Sequence, residues 1–127
     1  MAAKRIEAWL VALIAAHTFA VGAALLCFPA WALTFGGWEH VPPLFFPRQA
    51  GVFHFVLGLG YLYEYFRHGS VALLLTAKIL AVVFLLGASV VAAMPWFVPF
   101  AGFADGAMGL AVLLARWQVN LEPSDRA

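Results

Sequence analysis

Long apolar runs alternate along this chain with short breaks that contain polar, proline or glycine residues. Four runs rich in Ala, Leu, Val, Phe and Gly cover about residues 6–28, 47–66, 71–93 and 97–117. A helix of about 20 residues crosses the hydrocarbon core of a bilayer, because each residue advances it by about 1.5 Å. The pattern therefore predicts four transmembrane helices in one domain, residues 1–127.

The breaks predict how these helices are arranged. The four-residue turn 67–70 is short enough to force antiparallel neighbours, and Pro95 closes the third run. Residues 29–47 form an aromatic connection that Gly36-Gly37 and Pro42-Pro43 should keep from being helical. The predicted fold class is an all-α integral membrane protein, with four transmembrane helices in an up-down-up-down antiparallel bundle.

Composition and charge agree with this fold class and exclude others. The chain is 65 % hydrophobic and 10 % charged, with a mean hydropathy of +0.96 and a net charge of +1, so no nucleic-acid partner is expected. The expected partners are the lipid bilayer and either other membrane subunits or further copies of the chain. Arg48 alone lies near one predicted face, whereas the opposite face carries Lys4, Arg5, Arg67, Arg116 and Arg126. The positive-inside rule then predicts a multi-pass inner-membrane protein with both termini in the cytoplasm.

Ionisable residues interrupt the apolar runs. Each costs about 2.5–3.5 kcal/mol at the centre of a membrane helix, so several together indicate a site or internal pairs. Counted from the cytoplasmic helix ends, His17 lies at a depth of about 16 Å, and His54 and Asp105 lie at about 18 Å. Helical periodicity then predicts an inward lining of His17, His54, Tyr61, Lys78, Ser89 and Asp105. Arg48 and Gln49 would form its outer mouth.

Simpler interpretations exist for these residues. Lys78 and Asp105 can be an ion pair that only sets the register of two helices. Glu64 can be a carboxylate at the interface that pairs with Arg67 or Lys78. His17 can be a neutral residue that hydrogen-bonds between helices.

Several chemistries find little support. A haem b site needs two facing imidazoles, and His17 with His54 gives only that minimum, so haem b is disfavoured. No His-x-x-x-His or Glu-x-x-His spacing exists, so no metal site is predicted. Cys27 is the single cysteine and has no base nearby.

Part of the chain resembles a known family. An apolar helix ends in Leu26-Cys27-Phe28-Pro29, an aromatic loop follows, and then come Arg48-x-x-Gly51 and the LGLGYL segment at residues 57–62. Over about two-thirds of the chain, this resembles the DoxX-like group of small four-helix bacterial membrane proteins. That group includes accessory subunits of quinone-linked oxidoreductases, and the resemblance implies a partner or quinone connection. Arg48 and Gly51 are the residues that match it.

Three functions follow from these patterns. The first is an accessory or subunit-type protein of a membrane complex, with a polar intramembrane site for a lipophilic ligand such as a quinone. The second is a small intramembrane enzyme acting on a quinone- or isoprenoid-like substrate, with His54, Lys78 and Asp105 as working groups. The third is a passive scaffold with buried ion pairs. Whether the chain is an enzyme stays open at this point.

Overall fold

The computed structural model describes residues 2–121, which form helices joined by short connections. The helices are α1 (Ala2–Cys27), α2 (Pro29–Phe35), α3 (Phe45–His68), α4 (Ala72–Val91) and α5 (Phe97–Leu121). The all-α prediction is confirmed for this part of the chain. Three of these helices, α1, α4 and α5, are long and apolar enough to cross a membrane, which is the property of a membrane protein. The fourth long helix, α3, is less apolar because it carries Gln49, His54, three tyrosines and Glu64.

The short helix α2 differs from the predicted irregular connection. The helical backbone does break at Phe28, but Pro29 then occupies the first turn of a new helix. Proline suits that position, because the first turn does not need its missing N–H. The expected helix breakers act about two turns later, where α2 ends at Gly36 and Gly37 adopts a φ of +92°. Residues 36–44 are not helical.

Two antiparallel helix pairs build the bundle. The first pair is α1 with α3, and its ends meet where the Tyr65 hydroxyl donates a long hydrogen bond of 3.4 Å to the Lys4 carbonyl. The second pair is α4 with α5, and it is close at Gly102, where a Cβ atom would lie 2.7 Å from Leu86 Cδ2. Contacts between α1 and α5 join the pairs.

The main hydrophobic core occupies only one half of the bundle, beside the turn between α3 and α4. Its buried members are Val11, Ile14, Tyr61, Tyr65, Val71, Leu74 and Val112. Near the same turn, α3 approaches α4 at Gly60 and Leu73. Of the residues described in α4, Leu74 and Lys78 are the buried ones, so the second half of this helix adds no described residue to the buried core. The two pairs are therefore held together strongly at one end.

A buried ion pair fixes that end, and sequence analysis did not find it. Glu7 on α1 is 1 % exposed, and its Oε2 lies 2.8 Å from Arg116 Nε on α5. This contact is electrostatic, because its geometry is not that of a hydrogen bond. Arg116 Nη2 also donates to the Gly69 carbonyl at 2.7 Å. One arginine therefore ties α1 and α5 to the turn between α3 and α4.

Glu64 has a different role from the one expected. Its Oε1 accepts a hydrogen bond from the Ser70 hydroxyl at 2.9 Å, and its Oε2 accepts one from the Leu73 backbone N–H at 2.8 Å. The first N–H groups of a helix have no partner within the helix, so this carboxylate caps α4. The expected pairing with Arg67 or Lys78 is wrong, because both carboxylate oxygens are used at the turn.

The opposite end is joined through α2. The indole Nε1 of Trp96 donates to the Phe35 carbonyl at 3.1 Å, and the Phe97 N–H donates to the Gly36 carbonyl at 3.3 Å. The Phe35 and Trp96 rings meet edge to face. The start of α5 is thus attached to the connection that follows α1.

We expect Gly51→Ala to destabilise the protein by about 1–3 kcal/mol, because no space exists for another atom. A Cβ atom there would lie 2.7 Å from the Gly22 carbonyl oxygen and 2.9 Å from the Leu26 backbone nitrogen, neither of which is a flexible group. The control is Gly87→Ala, because nothing lies within 4 Å of a Cβ at that helical position. Thermal unfolding in mild detergent measures both, and equal melting temperatures for the two variants would contradict the close packing of α1 on α3.

Candidate functional site

The ion pair of Glu7 and Arg116 provides a common level from which depth along the helices can be measured. His17 lies ten residues beyond Glu7, which is about 15 Å. Asp105 lies eleven residues from Arg116, or about 16 Å, and Lys78 lies nine residues beyond Gly69, or about 13 Å. These three side chains therefore begin at similar depths on three different helices.

Lys78 and Asp105 are paired directly across α4 and α5. The Nζ of Lys78 lies 2.5 Å from Oδ1 of Asp105, and the side chains are only 8 % and 18 % exposed. Gly109 makes this possible, because its missing side chain leaves room for the Lys78 stem, whose Cβ would lie 3.3 Å from a Cβ there. The predicted contact between these two residues is present, and it satisfies one oxygen of the carboxylate.

His17 lies at the edge of this pair and is exposed on the surface of α1. The charges of Lys78, Asp105 and His54 are close enough to act on its imidazole. Among the described residues, no group forms a hydrogen bond or an ion pair with it. His17 therefore brings an imidazole with unused hydrogen-bonding capacity to the outer side of the ion pair.

Tyr61 approaches the same pair from α3. It lies eight residues from Gly69, or about 12 Å, and Asp105 is close enough to act on it. Tyr61 is only 2 % exposed, yet within the described part of the chain its hydroxyl has no hydrogen-bond partner. The hydroxyl oxygen itself keeps some exposure, because the fully buried side-chain atoms without a hydrogen bond in residues 2–121 are Glu7 Oε2 and Arg116 Nε.

His54 stands further from the common level than expected. It packs against Gly22, which lies five residues, or about 7 Å, beyond His17 along α1. The predicted depth of His54 counts from Phe66, whereas α3 continues to His68 and meets the common level at Gly69, so His54 lies about 22 Å from that level. His54 Nδ1 donates to the Ala50 carbonyl at 2.7 Å, which leaves Nε2 available about one turn beyond the ion pair.

Ser89 is not part of the cluster. Its hydroxyl donates to the Leu85 carbonyl on its own helix at 2.8 Å. It lies eleven residues from Lys78, so it shares a helical face with the lysine but stands about 16 Å away along α4. Membership of Ser89 in the inward lining stays a prediction. Arg48 and Gln49 are exposed at the start of α3.

Two open apolar grooves lie elsewhere on the protein. One, of about 440 Å³, is formed by the second half of α4 and two residues after it, and is lined by Val83, Phe84, Gly87, Ala88, Val91, Ala92 and Met94. The other, of about 250 Å³, lies between α1 and α3 and is lined by Arg5, Ala8, Trp9, Ala12 and Phe66. Neither groove includes the polar residues described above. Those residues therefore form a separate cluster, which we call the polar cluster: His17, His54, Tyr61, Lys78 and Asp105.

In the part of the chain that the structure describes, no group of three or more His, Cys, Asp or Glu side chains is placed to hold a metal ion. Cys27 is exposed at the end of α1. The chain matches no protein-family model, no curated protein and no solved structure. The resemblance to DoxX-like proteins is therefore a prediction that these comparisons neither support nor oppose.

We expect Lys78→Met and Asp105→Asn each to destabilise the protein by about 3–5 kcal/mol, because each leaves one buried charge without its partner. The double variant removes both charges and should recover most of that loss. Thermal unfolding in detergent measures the cycle, with Ser89→Ala as a control on the same helix. A double variant whose loss equals the sum of the single losses would show that the two residues have separate partners.

Proposed function

We propose that the chain crosses a bacterial-type inner membrane four times, through α1, α3, α4 and α5. Contacts along α1 and α3 support the second crossing, since an antiparallel helix that follows a membrane-spanning helix shares its depth. The polar groups of α3 are tolerable in lipid where they face other helices, as Tyr61 and Tyr65 do. The topology is then up-down-up-down.

The distribution of basic residues supports an orientation with both termini in the cytoplasm. Lys4, Arg67 and Arg116 all lie at the end that holds the main core, whereas Arg48 begins α3 at the opposite end. Basic residues in short segments favour the cytoplasmic side. Arg126, which the sequence also assigns to this side, lies outside the described residues.

Labelling of single cysteines tests the four crossings. In a Cys27→Ala background, Glu39→Cys and His68→Cys place thiols at opposite ends of α3, and both native residues are exposed. We expect a membrane-impermeant maleimide to label position 39 from outside spheroplasts and position 68 only after the membrane is opened. Labelling of both positions from one side would show that α3 does not cross.

We further propose that the polar cluster binds a lipophilic molecule that carries a hydrogen-bonding carbonyl or hydroxyl group, such as a quinone. The observation that carries this proposal is that Tyr61 and His17, both near the Lys78–Asp105 pair, have no hydrogen-bond partner among residues 2–121. In hydrocarbon, no water is present to satisfy these groups. A ligand carbonyl or hydroxyl is a suitable partner for both.

Exposure of His17 suggests how such a ligand reaches the site. Because this imidazole lies on the outer surface of α1, a molecule dissolved in the bilayer can reach it from the side. The Tyr61 hydroxyl would donate to a ligand oxygen, and the His17 ring would donate to or accept from the same polar group. Apolar residues of the surrounding helices would contact the rest of the ligand, as in other lipophilic sites.

We infer a ligand-holding, accessory role in preference to catalysis. Lys78 and Asp105 bind each other at 2.5 Å, which supports the positioning of the cluster more than proton transfer to a substrate. The alternative enzyme would use His54, Lys78 and Asp105 as acid and base groups. The third alternative, a passive scaffold with buried ion pairs, is also favoured by the Lys78–Asp105 pair. In such a scaffold, His17 would contact another protein.

Binding of a short-chain ubiquinone, followed by quenching of tryptophan fluorescence in detergent, tests the ligand site. We expect Tyr61→Phe to weaken binding by about tenfold, because it deletes one hydrogen-bond donor to the ligand that is worth about 1–1.5 kcal/mol. Tyr63→Phe is the matched control, since Tyr63 is 66 % exposed on the same helix. His17→Leu should weaken binding by a similar factor.

Three results would distinguish the alternatives. Equal affinity of the two tyrosine variants, or the absence of saturable binding by the wild type, contradicts the quinone-class site. A membrane protein that co-purifies with the wild type but not with His17→Leu favours the scaffold. A chemically altered quinone recovered after incubation favours the enzyme.

A further inference from the structure

The end of the bundle that holds the main core carries a group of basic side chains. The side chains of Lys4, Arg5 and Arg67 are exposed there. Glu7 is bound to Arg116, and both oxygens of Glu64 accept hydrogen bonds at the start of α4. Within residues 2–121, no ion pair involves these three basic side chains. An anion that binds at this end would meet three basic side chains that no described carboxylate neutralises.

One of these charges stands at the mouth of an apolar groove. Arg5 lines the groove of about 250 Å³ between α1 and α3, together with Ala8, Trp9, Ala12 and Phe66. The two alanines lie one helical turn apart and leave a shallow channel along α1. Trp9 and Phe66, which are 67 % and 68 % exposed, form its walls. From Arg5 to Ala12 the groove extends about 10 Å along the helix.

We propose that this groove is a binding site for an anionic glycerophospholipid of the cytoplasmic leaflet. The headgroup phosphate binds the Arg5 guanidinium, whose planar fork of donors suits phosphate oxygens. One acyl chain lies along Ala8 and Ala12, between the two aromatic walls. Lys4 and Arg67 add positive charge nearby, which favours a lipid with net negative charge over a zwitterionic one.

The arrangement of charge and apolar surface selects this occupant. A phospholipid changes from anionic to apolar over a distance comparable with the length of the groove, and the groove changes from Arg5 to Ala12 in the same direction. A helix from a second copy of the chain would instead place an apolar surface against a guanidinium without a partner. Dimer formation through this groove is therefore the competing outcome, and the mass of the complex distinguishes it from lipid binding.

Native mass spectrometry of the full chain in detergent tests the site. The probes are phosphatidylglycerol and phosphatidylcholine with identical acyl chains, added in turn. We expect the wild type to retain phosphatidylglycerol at least fivefold more than phosphatidylcholine. Arg5→Gln should reduce phosphatidylglycerol retention about fivefold, the contribution of one basic side chain near an anionic headgroup.

Two further variants distinguish the contribution of the Arg5 charge to lipid binding from that of the apolar groove. Arg48→Gln removes an exposed arginine at the opposite end and should leave retention unchanged. Ala12→Leu fills the groove and should lower retention of both lipids, and circular dichroism confirms that each variant is folded. The proposal is overturned if Arg5→Gln and Arg48→Gln lose lipid equally, if Ala12→Leu has no effect, or if dimers that contain no phospholipid replace the lipid-bound species.

Discussion

A charge that cannot remain unpaired organises one end of this bundle. Glu7 is almost fully buried within α1, and the cost of an isolated buried carboxylate is several kcal/mol. Arg116 forms an ion pair with this carboxylate and also donates a hydrogen bond to the Gly69 carbonyl. The helices α1 and α5 and the turn before α4 must therefore lie at one level. Because helices advance by a constant rise, this single contact determines which residues meet further along.

The polar cluster lies where the packed half of the bundle ends. Tyr61 and Leu74 belong to the main core, and Lys78, one turn beyond Leu74, is the last buried residue described in α4. Beyond that level no described residue of α4 is buried, so the second half of α4 is not part of the main core. A molecule dissolved in the bilayer can reach polar side chains at such a boundary. The hydrophobic core next to them holds these side chains in fixed positions.

Hydropathy was enough to locate the four long helices, because the apolar runs and the turn residues are unambiguous. It did not find α2, since Pro29 both ends one helix and begins the next.

Glu7 was missed because its partner is 109 positions away in the chain, and a pairing of that range leaves no local pattern. A count from Phe66 underestimates the depth of His54, because α3 continues to His68, and Ser89 shares a face with Lys78 but lies about 16 Å from it along α4. The Lys78–Asp105 pair was predictable, since two opposite charges in neighbouring apolar segments have few other partners.

The location of Arg116 and Trp96 on α5 has a consequence for biogenesis. This helix supplies the arginine at one end of the bundle and, through Trp96 and Phe97, the contacts with the connection after α1 at the other. While the ribosome is still synthesising α5, the earlier segments lack both attachments, and Glu7 has no counterion within the bilayer. The nascent α1 should therefore stay near the membrane surface or the insertase, and lateral release of the assembled bundle should follow the insertion of α5.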